Sequence, residues 1–593
     1  MGGAVTTLRL QVGRQALTGN SLIARVVPDV SGIDKQFDYL VPPPLGHRVR
    51  PGAVVRVELH GRRVDAWVMT VAESGSSGFS AIAHERMHPI LDVADLGVAG
   101  ELVPLCAWVA DRWAGPLRSV LAAATPTRKK ARAANPRFGT FAPPEGAVAE
   151  AVDASWKGGG AVLRVPPLRS ALDAVVSCAA RGPVLVLCPT QRMARLGAAA
   201  LRRRGLTTAE MPDQVDAALA GVDVVIGARS AVLAPCPTLG SVVVIDEHEE
   251  SYQEERVPTW SAPEVAVERA RRASVPVYLV SPVPSTWAVH DRGAEMQVGQ
   301  ENEGWPGVRI VDLSEVPVRG SLMSSELLEL VSRSRGSVLC ILNTKGGARL
   351  VACKSCRALQ TCDSCRSTVE NADGSLVCRA CGAARQAVCG DCGRTSFVAL
   401  RSGTARLSEE LRAASRIPVV EVTSSTEGIG GSAGVYVGTE ALLHRVSNAE
   451  AVIFLDVDRD LSSPRMSAGR EVLASVARAA RLVGRNGSVI LQTRQPDHPL
   501  LRAFADSTLD AWRAQDLATA RMLGLPPFVT VAVCSVDGGW ETLGVPDVSG
   551  IDWSFDDDRL VARGNRDDIL SFVDRVRGLA PGRVRVAINP SRI

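Results

Sequence analysis

Short stretches of alternating apolar and polar residues fill the part of the chain between residues 22 and 72. Gly and Pro residues separate these stretches, which is typical of the short strands of a small β-barrel or sandwich. A helix is predicted next, over residues 102–113, and a basic, proline-containing segment at 116–150 is typical of a linker. The predicted strands cover 23–27, 37–41, 53–59 and 66–71.

From residue 160 onwards the predicted strands are apolar at nearly every position. Strands of this kind lie in parallel sheets that are covered on both faces, and helical patterns separate the runs. We therefore expect two α/β lobes in tandem, followed by a small α+β domain at the end of the chain. The predicted strands cover 161–165, 184–187, 222–226, 241–245 and 277–280 in the first lobe, and 338–342, 419–422, 434–437, 451–455 and 488–492 in the second.

Length and composition agree with a multidomain α/β protein. The 593 residues correspond to roughly three or four domains, and a hydrophobic content of 46% is enough for several cores. No apolar run approaches the ~20 residues of a membrane span, so no membrane partner is expected. Residues 1–21 mix polar, charged and apolar side chains, which predicts a disordered leader and not a signal peptide. These features predict a cytoplasmic protein.

Basic residues are unevenly distributed, although the net charge is only +4. Residues 118–137 contain six Arg or Lys residues and no acidic residue, and Arg128, Lys129 and Lys130 are consecutive. Two interpretations remain open for this segment. It is either a solvated linker or a stretch that follows the phosphates of a nucleic acid.

Eight of the fourteen cysteines lie within forty residues, as four Cys-x-x-Cys pairs. Each pair can direct two thiolates into one tetrahedral site, so four pairs predict two structural Zn²⁺ ions. A disulfide framework and an iron–sulfur cluster are the alternatives, and the first requires an oxidising compartment. The pairs are Cys353/Cys356, Cys362/Cys365, Cys378/Cys381 and Cys389/Cys392.

Several short motifs follow one another in a fixed order: IGARSA at 226–231, VIDEH at 244–248, GTE at 438–440, LDVD at 455–458, QT at 492–493 and LPP at 525–527. Together with residues 338–408 around the cysteines, they resemble the bacterial primosomal protein N′ (PriA) family of replication-restart helicases. The similarity extends over nearly the whole chain after residue 22.

The resemblance implies a fold with an N-terminal barrel-like domain that binds 3′ DNA ends, and two RecA-like lobes of which the second contains a zinc module. The implied bounds are 1–21 leader, 22–115 3′-end DNA-binding domain, 116–150 basic linker or remnant winged helix, 151–310 lobe 1, 311–350 and 394–515 lobe 2, 351–393 two-zinc module and 516–593 C-terminal domain. The family nests its cysteine pairs, which assigns Cys353, Cys356, Cys389 and Cys392 to one zinc ion and Cys362, Cys365, Cys378 and Cys381 to the other.

The family captures the 3′ end of a nascent leading strand in a pocket with an F-D-Y run, which corresponds here to Phe37, Asp38 and Tyr39. The aromatic ring can stack on the terminal base, and the carboxylate can accept a hydrogen bond from a free 3′-hydroxyl. A pocket glycine and a basic residue of the family fall near Gly61 and Arg86. The alternative is that Phe37 is a core aromatic and Asp38 a turn residue.

The phosphate-binding loop of the family is degraded. An active member needs G-x-x-x-x-G-K-[ST], whose N–H groups and lysine hold phosphates and whose hydroxyl ligates Mg²⁺. The aligned residues 163–170 read LRVPPLRS, without glycine or lysine and with two prolines that lack N–H donors. Asp246 and Glu247 could still ligate Mg²⁺, but the box around them is one residue short. They therefore form a degenerate nucleotide site.

Three further motor motifs differ from the family pattern. S-A-T reads SPV at 281–283, the K-G of the fifth motif is replaced around 443–445, and the arginine-finger segment reads RAAR at 478–481. An arginine finger accelerates hydrolysis only when a γ-phosphate is bound to receive it. The combined changes predict that ATPase and helicase activity is lost, with no catalytic residues and no bound ATP–Mg²⁺.

The main hypothesis is a replication-restart (primosome) protein that binds stalled or abandoned forks and single-stranded DNA with 3′ ends, and helps to reload the replicative helicase. The family implies protein partners such as the helicase, its loader or a single-strand binding protein, and a location at the nucleoid. One alternative is an active ATP-dependent 3′→5′ DNA helicase with an aberrant nucleotide site. The other is a generic zinc-ribbon adaptor for nucleic acid or protein.

Overall fold

A computed structural model describes residues 22–590 with short gaps. The gaps are 34, 74–86, 128–130, 294, 300–303, 315–321, 344–350, 365–367, 373, 379–381, 400–403, 424–425, 427–428, 430–432, 464, 466, 537–539, 541–544, 557, 581 and 583. The predicted leader at 1–21 lies outside the described residues. The chain divides into two units, Met1–Asn135 with Leu233–Pro235, and Pro136–Val232 with Cys236–Ile593.

The first unit contains a five-stranded antiparallel sheet followed by two helices. The strand order is β2-β1-β4-β3-β5, and the four predicted strands and the predicted helix are all present. Helix α2 lies within 116–150, where a linker or a winged-helix remnant is predicted. The elements are β1 Leu22–Pro28, β2 Phe37–Leu40, β3 Val54–Leu59, β4 Arg62–Glu73, β5 Asp92–Val93, α1 Val103–Arg112 and α2 Leu117–Ala124.

The segment before β5 closes this sheet into a ring. The N–H of Leu40 in β2 donates to His88 O (3.0 Å), and Ile90 N–H donates back to Leu40 O (2.9 Å). The next residue, Leu91, donates to Arg56 O in β3 (2.8 Å). Because residues 88–91 bond to β2 on one side and to β3 on the other, the small barrel expected from the sequence is confirmed.

The first lobe of the second unit is a seven-stranded sheet in which all pairs are parallel, in the order β12-β6-β11-β10-β7-β9-β8. Its central strands β7, β9, β10 and β11 are buried at every residue, which explains their uniformly apolar sequence. The elements are α3 Ala147–Ser155, β6 Gly160–Arg164, α4 Leu172–Ala179, β7 Val184–Leu187, α5 Gln191–Arg203, β8 Thr208–Glu210, α6 Val215–Ala220, β9 Val224–Gly227, β10 Ser241–Ile245, α7 Ala262–Ala273, β11 Val277–Ser281, α8 Thr286–Arg292 and β12 Glu295–Gln297.

The second lobe repeats this architecture with six parallel strands in the order β13-β24-β23-β14-β22-β21. The two α/β lobes expected from the sequence are thus confirmed. The elements, with β15–β20 reserved for the inserted module, are β13 Gly307–Asp312, α9 Ser325–Arg333, β14 Ser337–Ile341, α10 Thr404–Ala414, β21 Val419–Glu421, β22 Gly434–Gly438, β23 Ala451–Phe454, α11 Val457–Leu461, α12 Ala468–Val483, β24 Ser488–Thr493, α13 Pro499–Ala505 and α14 Leu509–Met522.

The cysteine module is inserted between β14 and α10 and consists of two small antiparallel sheets. Their orders are β16-β15-β20 and β17-β18-β19. The insertion point agrees with the expected position of the module inside the second lobe. The strands are β15 Val351–Cys353, β16 Leu359–Gln360, β17 Val369–Ala372, β18 Ser375–Cys378, β19 Ala384–Gln386 and β20 Phe397–Ala399.

A four-stranded antiparallel sheet and one helix form the end of the chain, which confirms the α+β interpretation. The strand order is β26-β27-β25-β28. Among the described residues, no helix is both long enough and apolar enough to cross a membrane. The elements are β25 Thr530–Val536, β26 Asp552–Asp556, β27 Arg559–Gly564, α15 Arg566–Leu579 and β28 Val584–Ile588.

Candidate functional site

Four cysteines from two turns of the module come together in space. Cys353 is the last residue of β15, Cys356 lies in the turn after it, and Cys389 and Cys392 precede β20. Their Sγ atoms all lie within 4.8 Å of one another, with 3.6 Å between Cys353 and Cys392 and 3.5 Å between Cys356 and Cys389. Four sulfurs at about 2.3 Å from a tetrahedral Zn²⁺ would be about 3.8 Å apart. The set therefore fits one zinc ion, and it is the set that the family resemblance pairs.

Neighbouring N–H groups point at these sulfurs. The backbone N–H of Ser355 donates to Cys353 Sγ (3.4 Å), and Gln360 Nε2 donates to Cys389 Sγ (3.4 Å). Burial raises the pKa of Cys353, but the backbone N–H groups of Cys356 and Ser355 and the thiols of Cys392 and Cys356 together lower this pKa to about 7. The pKa of Cys356 moves the other way, to about 12: the backbone N–H of Ala358 lowers it, but burial and the thiols of Cys392, Cys389 and Cys353 raise it more. The thiolate, which is the metal-binding form of cysteine, is thus favoured at Cys353 and not at Cys356.

The second expected cysteine set is only partly described. Cys362 and Cys378 are buried and belong to one small hydrophobic core with Val369 and Leu376. Cys365 and Cys381 lie outside the described residues. Two members of the set therefore line the same core, and a second zinc ion at this position stays a prediction.

In the barrel, Asp38 is held by a neighbour that the sequence analysis did not identify. Arg25 on β1 lies directly opposite Asp38 on β2. Its Nε donates to Asp38 Oδ1 (2.8 Å) and its Nη2 to Asp38 Oδ2 (3.0 Å). The Asp38 side chain is only 7% exposed. This two-bonded pair fixes the position of the carboxylate, and the hydrogen bond to Asp38 raises the pKa of Arg25.

The other expected pocket residues differ in their surroundings. Tyr39 is buried and its hydroxyl donates to Glu58 O (2.8 Å), so it supports the barrel core. Phe37 is half-buried against the same core. Gly61 lies in the turn between β3 and β4 with φ +75°, and no atom lies within 4 Å of where its Cβ would be. Arg86 lies outside the described residues.

The segment after β6, where a phosphate loop would lie, is filled by internal hydrogen bonds. The N–H groups of Val165, Leu168 and Arg169 donate to Ser281 O (2.9 Å), Gly304 O (3.1 Å) and Pro166 O (3.0 Å), respectively. A Cβ at Gly304 would clash with Pro166, because the chain at 304 packs directly on this turn. The backbone donors that a phosphate would need are already used at these positions.

Arginines of helix α12 pair with the acidic residues that follow β10. Arg481 donates to Asp246, and Arg478, one turn earlier, donates to Glu249. Asp246 is fully buried, and its Oδ1 has no hydrogen-bond partner among the described residues. Burial raises the pKa of Asp246, but the charge and hydrogen bond of Arg481, together with the charges of His248 and Arg478, outweigh it, so this pKa lies below its ordinary value. The first lobe supplies the acids and the second lobe the arginines.

A second set of contacts joins the two lobes through helix α14. Arg164, the last residue of β6, has a side chain that is 6% exposed and donates from Nη2 to Asp510 Oδ2 (2.8 Å). On the same helix, Arg513 donates from Nη1 to Glu295 Oε1 (2.8 Å) in β12. These ion pairs cross from the edge of the first sheet to the helix that follows the second sheet.

Hydrogen bonds to uncharged groups extend this connection. Arg192 in α5 donates to His444 O (3.0 Å) and to Ser447 Oγ (2.8 Å). Arg470 in α12 donates to Thr286 Oγ1 at the start of α8 (2.7 Å). The lobes are therefore joined at several separate places, each through an arginine.

A cavity of about 860 Å³ lies between the lobes and the C-terminal domain. Glu247 lines it and is held by Ser285, whose N–H and hydroxyl donate to the carboxylate (2.7 and 2.8 Å). Burial raises the pKa of Glu247 to about 7. Trp287 and Trp512 add aromatic surface, whereas residues 163–170 do not reach the cavity. It is thus separate from the turn that follows β6.

Comparison with known proteins agrees with the resemblance seen in the sequence. A family model described as the 3′ DNA-binding domain of PriA matches residues 25–126. The replication restart protein PriA of Bacillus subtilis is 28% identical over 53% of this chain and 43% of its own length. That of Haemophilus influenzae is 27% identical over 52% and 47%. The chain spans about half the length of these curated relatives.

A third relative matches over a longer range. The probable replication restart protein PriA of Mycobacterium leprae is 28% identical over 86% of both chains. Among solved structures, Saccharomyces cerevisiae Dbp5 bound to RNA and ADP BeF3 covers 72% of this chain and 98% of its own, at 12% identity and a TM-score of 0.36. An XPD helicase covers 61% and 97%, at 7% identity and a TM-score of 0.35.

Proposed function

Because this chain is a relative of the PriA replication restart proteins, we propose that it binds stalled or abandoned forks and helps to reload the replicative helicase without hydrolysing ATP. The barrel would hold the 3′ end of the leading strand. Its protein partners would be the helicase, its loader or a single-strand binding protein at the nucleoid. The pairing of Arg481 with Asp246 carries the proposal, because it uses the acid that would otherwise ligate Mg²⁺.

The turn after β6 supports the absence of ATP hydrolysis. A phosphate loop works by directing several free N–H groups at one anion. Here Pro166 and Pro167 have no N–H group, and Val165, Leu168 and Arg169 donate to other backbone oxygens. A bound nucleotide would have to break these backbone hydrogen bonds. The segment has no lysine that could contact the phosphates in compensation.

The arginine pairs support the same conclusion from the other lobe. An arginine finger is worth roughly three to five orders of magnitude in rate when it contacts a γ-phosphate. Drawing Arg481 away would leave the buried Asp246 carboxylate without its counter-charge, which costs about 3–5 kcal/mol. Nucleotide binding would have to supply that energy before any chemistry.

The connection between the lobes supports a role as a scaffold. Helicase motors bind and release nucleotide while their lobes open and close. Arg164, Arg192, Arg470, Arg478, Arg481 and Arg513 each bond across the lobes. Opening the lobes would break all of these contacts, so we expect one stable arrangement.

The barrel supports binding of a DNA end. A carboxylate that Arg25 holds in place can accept a hydrogen bond from a 3′-hydroxyl, while a terminal phosphate would be repelled by its charge. The half-buried Phe37 beside it offers ring surface for the terminal base. The basic residues 128–130 lie outside the described residues, so their contact with phosphates stays a prediction.

The cysteine module would hold two structural Zn²⁺ ions. Cys353, Cys356, Cys389 and Cys392 already converge to the spacing of one tetrahedral site. Cys362 and Cys378 supply two of the four ligands that a second site needs. Structural zinc stabilises a module too small to fold on its own core, and it would give DNA or a protein partner a rigid surface.

An ATP-dependent 3′→5′ helicase with an aberrant nucleotide site is the second candidate. The cavity of about 860 Å³ favours it, because Glu247 lies there with a pKa of about 7 and could exchange a proton near neutral pH. A nucleotide in that cavity would be bound away from residues 163–170. Saturable ATP binding that Glu247→Gln weakens would support this candidate.

Fork binding tests the recognition part of the proposal. Fluorescence anisotropy would compare a fork whose leading strand ends in a 3′-hydroxyl at the branch with the same fork carrying a 3′-phosphate. We expect at least tenfold tighter binding to the hydroxyl form, and weaker binding to both forks in Phe37→Ala, because its ring would stack on the terminal base. The control Phe138→Ala removes an exposed ring of the second unit. Equal affinity for both forks would contradict the proposal.

A further inference from the structure

The second lobe contains a smaller cavity whose polar lining consists mainly of oxygen atoms. Its volume is about 170 Å³, and it lies between the end of β14, the turn after β22, the end of α11 and the start of α12. The GTE motif at 438–440 supplies Thr439 and Glu440 to its lining. The other polar residues that line it include Asn343, Asp460, Ser463, Glu471 and one arginine, Arg465, which pairs with Glu471.

Ser463 faces this cavity with an unused hydroxyl. The residue is only 6% exposed, and its Oγ has no hydrogen-bond partner among the described residues. A buried hydroxyl without a partner costs free energy, and such groups usually meet a water molecule or an ion. This observation is independent of the acidic residues in the same cavity.

Asp460 is partly prepared to bind a ligand. Asn343 Nδ2 donates to Asp460 Oδ1 (3.0 Å), and Asn343 Oδ1 accepts from the N–H of Glu440 (2.9 Å). Burial, and then the charges of Glu440 and Asp456, raise the pKa of Asp460 to about 7. Glu471, by contrast, is neutralised by Arg465. Bringing in a positive ion would relieve the repulsion around Asp460.

We propose that this cavity binds one hydrated divalent cation of the Mg²⁺ class through the Asp460 carboxylate and the Ser463 hydroxyl. Carboxylate, amide and hydroxyl oxygens suit hard cations and not zinc. Mg²⁺ usually keeps several waters and uses one or two carboxylates, which matches a roomy cavity with few charged ligands. Both ligands lie at or just after the end of α11, and the site involves neither the cysteines nor Asp246.

Mn²⁺ provides a direct probe of cation binding, because electron paramagnetic resonance measures the concentration of the free Mn²⁺ ion. The full-length, zinc-loaded protein would be titrated with Mn²⁺, and Mg²⁺ would be added as a competitor. We expect one competed site per chain, with affinity reduced at least tenfold in Ser463→Ala and in Asp460→Asn. Asp506→Asn, an exposed acid of the same lobe, and Asp246→Asn should bind as the unaltered protein does.

The outcomes separate the proposal from its rivals. Unchanged Mn²⁺ binding in Ser463→Ala would overturn it, and so would the absence of binding at millimolar Mn²⁺. Loss of Mn²⁺ binding in Asp246→Asn alone would show that the ion binds at the degenerate nucleotide site. That result would equally overturn the proposal. If Asp460→Asn does not fold, Ser463→Ala decides the question, because removing one hydroxyl leaves the charges in place. None of these results bears on fork recognition.

Discussion

The neighbouring side chain of Arg25 gives Asp38 a structural role that the FDY run at 37–39 does not indicate. A carboxylate on a strand is ordinarily solvated, but Arg25 binds both of its oxygens and most of the side chain is buried. The pair can therefore stabilise the barrel and orient the acid for a 3′-hydroxyl at the same time. Substitutions at the two residues distinguish these roles.

Arg25→Met would leave the mostly buried Asp38 carboxylate without its counter-charge. Since Arg25 is 30% exposed, water would screen part of the loss, and we expect about 1–3 kcal/mol of local destabilisation. Hydrogen exchange of the amides in β1 and β2 measures it. Arg56→Met, which breaks the more exposed pair with Asp65, is the control and should have an effect below about 1 kcal/mol. Equal hydrogen-exchange protection of these amides in Arg25→Met and Arg56→Met would contradict the prediction.

Asp38→Asn tests the DNA role of the same residue. The amide keeps the shape of the side chain but removes the charge that accepts strongly from a hydroxyl. We expect binding to a fork with a 3′-hydroxyl to weaken at least tenfold, while binding to plain single-stranded DNA stays nearly unchanged. Anisotropy titrations on both substrates measure this difference. An equal loss on both would mean that Asp38 does not contact the DNA end.

Cys353→Ser tests whether Cys353 is one of the four ligands of a zinc ion. A hydroxyl is a poor ligand for zinc, and the binding energy of a structural zinc ion is also folding energy. We expect elemental analysis to show one zinc ion fewer per chain, and hydrogen exchange to show loss of protection in β15 and β20. Cys340→Ser, at a buried cysteine outside the module, should keep the metal content. Retention of two zinc ions in Cys353→Ser would show that the assignment of Cys353, Cys356, Cys389 and Cys392 to one zinc ion is wrong.

The residues that sequence could and could not predict differ for a physical reason. The Cys-x-x-Cys spacing identified the four cysteine pairs without a structure, and the family resemblance implied that Cys353, Cys356, Cys389 and Cys392 share one ion. The sequence did not reveal the role of Arg25. This residue lies directly opposite Asp38, and that position can be recognised only when the pairing register of β1 and β2 is known. Arg164 could not be assigned, since its partner Asp510 is 346 positions away.

At the scale of elements, helix α12 places two arginines on the face directed at the first lobe. Arg478 and Arg481 are three residues apart and therefore share one side of the helix. They meet Glu249 and Asp246 in the loop after β10. The family motif predicts arginines at these positions, but their pairing with Glu249 and Asp246 is visible only in the fold.

Arg481→Ala tests this contact. Asp246 would become a buried charge without a partner, so we expect the lobes to lose about 3–5 kcal/mol of stability. A double-mutant cycle with Asp246→Ala should show a coupling energy of at least about 1 kcal/mol. Arg485→Ala, at an exposed arginine just after α12, is the matched control. Additive effects in the cycle would contradict the pairing.

The same pair predicts a pH dependence. The pKa of Asp246 is lowered in the folded protein, so its contribution to stability is present above the ordinary Asp pKa of about 4 and is lost as the pH falls through the lowered value. The difference in unfolding temperature between the unaltered protein and Asp246→Asn should be constant from pH 7 to 5 and shrink below about pH 4. A difference of the same size at pH 3 and pH 7 would contradict it.

Strand prediction succeeded where burial was complete and failed at the edges. The bounds of β7 and β10 match the predicted runs, because strands covered on both faces are apolar at nearly every position. The short strands β8 and β12 were not predicted, since edge strands with polar residues such as Thr208 and Glu210 lack that signal. The closure of the barrel by residues 88–91 depends on backbone bonds that no side-chain pattern encodes.

For the whole molecule, two parallel α/β lobes are joined by arginine contacts that favour one fixed arrangement. The sheets must stay buried for the chain to fold, whether or not ATP is used. In the turn after β6 the backbone donors are used within the chain, and after β10 the acidic residues pair with arginines. On this account the protein acts through recognition of DNA and assembly with partners, and the energy of ATP enters only through those partners.

ATP hydrolysis by the purified protein, with and without a fork carrying a 3′-hydroxyl leading strand, tests this account most directly. We predict no turnover above background on a fork that the protein demonstrably binds, and no difference between the unaltered protein and the double variant Asp246→Ala/Glu247→Ala. DNA-stimulated turnover that disappears in the double variant would contradict the account and establish an active motor.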